Sequence, residues 1–327
     1  MTVDEIAKRA NVSKATVSRV INESGYVSKE KREKVLSVLK DIDYQIPENT
    51  RKAGIRRIHT IGVVVSEMTN PYFLSAFEGI ASVADQYDID VVFYNSDRNP
   101  EKEIRALKRL KEMQVQGIII APTLDFDNFQ SSQRFGEAMN NTKIPIVFMD
   151  ATAELDERDG VFFDNFAGAF KAVDAMIQAG HREIGILTGD RRIKTVRDRF
   201  RGYCKALEVN GIERRDNFIL EGDFTRTAKE YLKNGKMPQA IFTCNNFTTE
   251  GFFKAVLEEK LVLGQDIFCM AFDKLEQFDM FGLNYSYLER NPWEMGKAAM
   301  EMLLERLKNP SILCTRKIIP FHIIMNS

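Results

Sequence analysis

Apolar positions in the first forty residues recur at helical spacing. Val17, Val20 and Ile21 fall at i, i+3 and i+4, and Val35, Val38, Leu39 and Ile42 at i, i+3, i+4 and i+7, so each set forms one stripe of a helix. Thr2-Val3-Asp4-Glu5 has the form of a capping box, in which a hydroxyl and a carboxylate satisfy each other's free amides. The pattern predicts helices over 3–9, over 14–21 behind a Ser13 cap, and a third opened by Ser28, with Ala10-Asn11-Val12 as a tight connection between the first two. Three short amphipathic helices joined in this way make a helix-turn-helix module.

From residue 58 onward the pattern changes. Short continuous apolar runs at 61–65, 91–94, 118–121 and 144–149 alternate with helix-period stretches at 72–87, 100–113 and 129–139. A second series then begins, with runs at 161–163, 184–187, 219–220, 241–244 and 267–272 and helices at 166–178, 199–210, 227–232 and 249–259. Continuous apolar strands separated by amphipathic helices predict parallel sheets covered on both faces. Two such series predict an α/β body of two doubly wound subdomains, with ligand chemistry in the crevice outside the strand carboxyl ends. Residues 43–57 lack a long apolar face and carry Pro47 and Gly54, which reads as a linker.

Charge sharpens this division. Residues 1–57 hold 13 Lys and Arg against 8 Asp and Glu, a balance of +5, whereas the rest holds 33 against 39, a balance of −6, together giving the net −1. A basic module on a mildly acidic body points to an N-terminal polyanion binder. The second helix is short enough for the major groove. Its outer face carries Lys14, Ala15, Ser18, Arg19 and Asn22: Lys14 and Ala15 would meet base edges, and Arg19 can fork onto guanine. Ser13, Thr16 and Ser18 suit phosphate oxygens or a thymine methyl. A helical bundle with a polar outer face would show the same helix length and charge.

The remaining composition narrows the classes. With 44% hydrophobic and 28% charged residues among 327, the chain is globular and of two- or three-domain size. No apolar run approaches the ~20 residues of a membrane span, and no leader pattern opens the sequence, so the expected address is cytoplasmic. Four scattered cysteines read as reduced thiols, and three histidines without ligand spacing argue against a metal site. No glycine-rich dinucleotide turn, phosphate loop or nucleophile elbow is present, so neither an enzyme nor a cofactor is expected.

The run from Val3 to Asn22, with Val12-Ser13-Lys14-Ala15-Thr16-Val17-Ser18-Arg19-Val20-Ile21-Asn22 at its heart, closely resembles the opening of the lactose/galactose repressor (LacI/GalR) family. Gly25-Tyr26-Val27-Ser28 and Arg32-Glu33-Lys34-Val35 fit that family too. So do Asn70-Pro71-Tyr72-Phe73, Asn95-Ser96-Asp97, Gly117-Ile118-Ile119-Ile120, Gly180-His181-Arg182-Glu183-Ile184 and Ala271-Phe272-Asp273 in the body. The resemblance runs nearly end to end. It implies a headpiece over 1–46, a hinge over 47–57 and a periplasmic-binding-protein-like body over 58–327. The body's N-subdomain is expected at about 58–160 and 291–320, and its C-subdomain at about 161–290 and 321–327. Lys14, Ala15 and Arg19 stand at the family's base-reading positions. In the hinge, Arg51-Lys52-Ala53 occurs where the family has Arg-Ser-Leu. Ala53 is too small to wedge between bases, so either Ile55 takes over or the operator is bent less.

The resemblance also implies a homodimer on a palindromic operator, and a small carbohydrate-type effector in a hinged cleft. Tyr72 and Phe73 could stack on a sugar ring, Asp273 and Asn246 could bridge hydroxyls, and Arg199 stands at the position for a bidentate contact, with Asp97 and Asp164 as further candidates. His181 reads as structural. Where relatives have glutamine then proline, this chain has Glu289-Arg290-Asn291, and Asp190-Arg191-Arg192-Ile193-Lys194 is also basic. Cations around the crevice suggest a sugar acid or sugar phosphate. The competing expectation is that Arg290 pairs with Glu289 or Asp150, with Arg191 and Arg192 in water. Control by a protein corepressor, or a sugar-binding protein without a regulatory role, are the alternatives.

Overall fold

The computed structural model describes residues 3–21, 27–41, 60–123, 129–150, 158–222, 224–233 and 238–326. Thr2, Asn22, Ile42, the whole 47–57 hinge with Arg51 and Ala53, and Ile55 lie outside them. The chain forms two compact units, Met1–His59 and Thr60–Ser327.

The first unit holds α1 (Val3–Arg9), α2 (Lys14–Ile21) and α3 (Lys29–Asp41). Ile6, Ala7, Ala10, Val17, Val20, Ile21, Val35 and Leu39 bury against one another as its core, which is the set of stripes the spacing selects. The tight α1–α2 connection is made by Asn11 at φ 51°, a left-handed position that asparagine tolerates.

The second unit carries two six-stranded sheets. The first contains β1 (Thr60–Val65), β2 (Asp90–Asn95), β3 (Gly117–Ile120), β4 (Ile146–Asp150), β5 (Gly160–Phe162) and β11 (Arg316–Ile318), in the order β11-β5-β4-β3-β1-β2 and parallel throughout. The second contains β6 (Ile184–Leu187), β7 (Ile219–Leu220), β8 (Ala240–Thr243), β9 (Phe268–Phe272), β10 (Ser286–Arg290) and β12 (Phe321–Ile324), in the order β12-β10-β9-β8-β6-β7, with only β12 antiparallel among these pairings. Helices α4 (Pro71–Gln86), α5 (Pro100–Glu112), α6 (Phe129–Thr142) and α12 (Pro292–Lys308) belong to the first subdomain. Helices α7 (Asn165–Gln178), α8 (Lys194–Val209), α9 (Phe224–Lys233), α10 (Asn246–Glu258) and the short α11 (Glu276–Asp279) belong to the second. Among the described residues, no helix is long and apolar enough to cross a membrane.

One expectation is corrected here. The run at 161–163 does not open the second series: β5 pairs with β4 and β11 inside the first sheet, so the first crossing between subdomains follows Phe162, not residue 160. The chain crosses again between Arg290 and Pro292, and a third time between Ile318 and Phe321. A run of three apolar residues carries no mark of which sheet it joins, because that is decided by neighbours distant in sequence.

Glycine permits one close approach that shapes the first subdomain. Cβ atoms added at Gly79 on α4 and at Gly296 on α12 would lie 2.0 Å from the Trp293 carbonyl oxygen and 1.8 Å from the Ala76 carbonyl oxygen. The two helices therefore cross backbone to backbone. This seats the start of α4, with Tyr72 and Phe73, beside the second crossing.

Candidate functional site

In the first unit, Lys14, Ala15, Ser18 and Arg19 are exposed on the face of α2 opposite its buried Val17, Val20 and Ile21. Ser13 caps the helix, accepting the Thr16 amide at 3.2 Å while its hydroxyl meets that of Thr16 at 2.9 Å. Lys14 Nζ lies 2.5 Å from Asp4 of α1, with both side chains largely in solvent, so the ion pair is worth little and leaves the ammonium available.

In the second unit, the strand carboxyl ends of both sheets face a cavity of about 120 Å³. Asn70, Tyr72, Phe73, Thr123 and Asp150 line it from the first subdomain, and Thr195, Arg199, Phe224, Asn245, Phe247 and Asp273 from the second, with Arg290 at the crossing. Asn70 caps α4 by accepting the Tyr72 amide at 3.1 Å, and Pro71 at the first helical position presets that turn. Asp150 ends β4 and Asp273 follows β9, with φ of 66° and 94°. Such left-handed positions cost a non-glycine residue about 1–3 kcal/mol each, and they concentrate at binding sites.

Arg290 organises the floor. Its Nε and Nη2 donate to the two oxygens of Asp273, each at 2.6 Å, and its Nη1 lies 3.6 Å from Asp150 Oδ1. Tyr72 donates its hydroxyl to that same Asp150 oxygen at 2.6 Å. The guanidinium carbon sits 4.4, 4.7 and 5.0 Å from the ring centres of Tyr72, Phe163 and Phe272. Burial alone would lower the Arg290 pKa, but Asp273, Tyr72 and Asp150 outweigh it and hold it above the usual arginine value. Burial, then the charge of Asp150, raises the Tyr72 hydroxyl well above its ordinary value.

Arg199, also buried, donates from Nε to Asn165 Oδ1 at 2.8 Å and from Nη1 to the Cys244 carbonyl at 2.6 Å, with its carbon 3.7 Å from the Phe272 ring centre. Burial, followed by repulsion from Arg290, brings its pKa down to about 10, so it stays a cation at neutral pH. Behind the wall, buried Glu103 accepts the Thr123 amide at 2.8 Å and the Ser96 hydroxyl at 3.0 Å. Burial raises its carboxyl despite those bonds.

Of the residues singled out from sequence, Tyr72, Phe73, Arg199, Asp273 and Arg290 meet at the cavity. Three others are placed elsewhere. Asp97 pairs with Lys102 at the surface, 2.8 Å away; Asp164 is exposed and caps α7 by accepting the Ala167 amide at 2.8 Å. Asn246 borders an adjoining groove of about 960 Å³, which shares Tyr72, Asp273 and Arg290 with the cavity, and donates to Asn70 at 2.9 Å; its neighbours Asn245 and Phe247 line the cavity itself. His181 stacks on Phe268, 4.4 Å between ring centres.

The cations expected to meet an anion have carboxylate partners: Arg290 with Asp273 and, at 3.6 Å, with the expected Asp150 but not Glu289, Arg192 with Asp190 at 2.6 Å, and Arg191 with Glu221. Asp150, Thr195, Phe224 and Asn245 are cavity residues the sequence reading did not select. The strand-end rule that marks Asp273 would have marked Asp150 equally. Thr195 was hidden because α8 begins at Lys194, a turn earlier than its apolar pattern indicates.

Comparison with known proteins finds relatives that span both units. Residues 58–320 match the family model described as periplasmic binding proteins and sugar binding domain of LacI family, and residues 2–47 that of bacterial regulatory proteins, lacI family. The chain is 29% identical over 315 residues to the ribose operon repressor of Haemophilus influenzae, covering 95% of this chain and 93% of the relative. It is 26% identical to catabolite control protein A of Priestia megaterium, covering 95% and 94% of the two chains. Among solved structures, the lac repressor dimer bound to operator and the anti-inducer ONPF superposes with a TM-score of 0.77 at 25% identity, covering 100% of this chain and 98% of that one.

Proposed function

We propose, on the premise that the chain belongs to the lacI family of bacterial regulatory proteins, that it binds a palindromic operator as a homodimer and releases or tightens its grip when a small carbohydrate-type effector occupies the cavity. The family consists of DNA-binding transcriptional repressors with a sugar-binding domain, and the protein is not an enzyme.

One observation carries the effector reading: the carboxyl ends of both sheets converge on one polar cavity walled by aromatic rings. Asp150 and Asp273 offer acceptors for ligand hydroxyls, Arg199 offers a donor, and Tyr72, Phe73 and Phe224 offer apolar faces for ring C–H groups. At roughly 10–15 Å³ for each water-sized position, about 120 Å³ is room for a molecule of monosaccharide size. Because the wall comes from both subdomains, occupancy biases the angle between them. Coupling to operator affinity of this kind is typically worth about 1–3 kcal/mol.

On the DNA side, Lys14, Ala15 and Arg19 read base edges, while Ser13, Thr16 and Ser18 position the helix on phosphates. A twofold operator calls for two headpieces, because one module buries too little surface for tight binding. Calorimetry of the full chain against pentoses and hexoses, beside gel-shift on a randomised duplex pool, tests both halves. Saturable sugar binding and enrichment of a palindrome are expected. Failure of every sugar, or enrichment of no sequence, would refute the corresponding half.

A further inference from the structure

The Arg290 guanidinium is the least expected group in the cavity floor. Its side chain is 3% exposed, and a buried charge persists only when paired and hydrogen-bonded. Asp273 takes two of its donors in a planar fork. Nη1, however, is buried with no hydrogen-bond partner; the group facing it, Asp150 Oδ1, is 3.6 Å away, beyond hydrogen-bond length. Asp273 belongs to the second subdomain and Asp150 to the first, and Arg290 closes β10 immediately before the chain crosses between them. Phe163, packed on the guanidinium, lies just after the first crossing.

The charges facing this arginine can be enumerated by element. Asp273 follows β9, Asp150 ends β4, Tyr72 lies on α4, and Arg199 reaches in from α8 with Cys244 beyond it. Two carboxylates and two guanidiniums thus share the deep end of the cavity, and their formal charges cancel. An added anion would sit against two aspartates whose countercharge is already committed. An uncharged hydroxyl can instead donate to a carboxylate lone pair that Arg290 and Tyr72 leave open, without disturbing the balance.

We infer that Arg290 is a positioning and specificity-determining residue: it holds Asp150 and Asp273 from opposite subdomains as a charge-balanced acceptor pair, and so restricts the effector to an uncharged polyhydroxylated molecule. This rests on the carbohydrate reading of the cavity and replaces the sugar acid or phosphate that the basic residues suggest in the sequence. Arg290 acts through the aspartates. Removing it leaves two carboxylates facing the single guanidinium of Arg199, an uncompensated negative charge that raises the affinity of the site for a proton.

The test uses the full chain with neutral monosaccharides as probes, set against matched uronates and sugar phosphates, and with thermal unfolding followed across pH without ligand. Wild type should bind a neutral sugar with an affinity flat from about pH 6 to about 8, and each anionic counterpart at least about tenfold more weakly. Arg290→Gln should lose about tenfold or more in neutral-sugar affinity, and both its binding and its unfolding should acquire a pH dependence beyond that of wild type. Arg290→Lys, which keeps the charge but not the fork, should retain the flat profile while losing affinity. Should Arg290→Gln fail to fold, Arg290→Gln combined with Asp273→Asn, which restores neutrality, should fold with the pH dependence removed.

Anion binding as tight as that of the neutral parent would overturn the charge restriction while leaving the carbohydrate reading intact. An Arg290→Gln unfolding profile parallel to wild type would overturn the positioning role. If no sugar of either kind bound, the carbohydrate reading and the charge restriction would fall together, and the unfolding profiles would still decide what Arg290 does to the aspartates.

Discussion

Asn246 Nδ2 donates to Asn70 Oδ1 at 2.9 Å, joining the first residue of α10 in one subdomain to the cap of α4 in the other. Asn70 Oδ1 already accepts the Tyr72 amide, so a single oxygen both starts the helix that carries two cavity aromatics and ties it across the cleft. Asn246 is not at the cavity, yet it bears on whether the cleft is held shut. Asn246→Ala should cost about 0.5–1.5 kcal/mol of stability, the net worth of one such bond. Amide exchange at Tyr72 and Phe73 should speed up. Unchanged exchange there would mean that the bond does not tie the two subdomains.

Gly296 leaves no room for a side chain, since its added Cβ would stand 1.8 Å from the Ala76 carbonyl. That oxygen belongs to the backbone of α4 and cannot rotate away. Gly296→Ala should therefore force α4 and α12 apart and destabilise the second unit by about 1–3 kcal/mol or more, the cost of overpacking. Chemical denaturation measures it. Gly136, whose Cβ would meet nothing within 4 Å, serves as the control, and Gly136→Ala should not destabilise.

The headpiece was legible in sequence almost residue by residue, because its helices are set by local spacing and caps: α1 and α2 span the predicted 3–9 and 14–21. The alternation of the body was equally plain up to Phe272. Beyond it, β10, α12, β11 and β12 were not read as elements from their pattern. Their strands are short, β11 is exposed along its whole length, and both edge strands complete sheets begun far earlier in the chain. The site shows the same division. Tyr72, Arg199 and Asp273 follow from strand-end and family position, whereas Arg290's fork onto Asp273 depends on a register between β9 and β10 that no local pattern encodes. Asp97 and Asp164 sit near strand ends as the rule requires, but their carboxylates are spent on Lys102 and on a helix cap.

Glu103 gives a pH signature of the cavity wall. Burial raises its folded pKa above the unfolded value, so the folded state takes up the proton first as pH falls. Its contribution to stability is then most favourable at low pH, and it declines as pH rises past the unfolded pKa through the folded one. Glu103→Gln, neutral throughout, should gain stability relative to wild type as pH rises across that window. A stability difference that stays constant with pH would mean that folding leaves the proton affinity of this carboxyl unchanged.

On the DNA side, Lys14 is exposed and only loosely held by Asp4, so Lys14→Ala should leave folding within about 0.5 kcal/mol of wild type. Its effect belongs to recognition. If Lys14 meets a base edge, the variant should relax preference at one operator position while keeping the salt slope. If it meets a phosphate, affinity should fall evenly across sequences and the slope should drop by about 1. Selection on a randomised duplex at two salt concentrations separates these outcomes, and only the first agrees with a base-reading role.

The link between the two units is decided by titrating the full chain onto its selected palindrome at fixed salt, with and without a saturating neutral sugar, for wild type and for Asp273→Asn. Operator affinity of the wild type should change by roughly fivefold to a hundredfold when the sugar is added, and Asp273→Asn should grip the same palindrome while ignoring the sugar. DNA binding without sequence preference, or an operator affinity that the bound sugar leaves untouched, would contradict a ligand-controlled repressor.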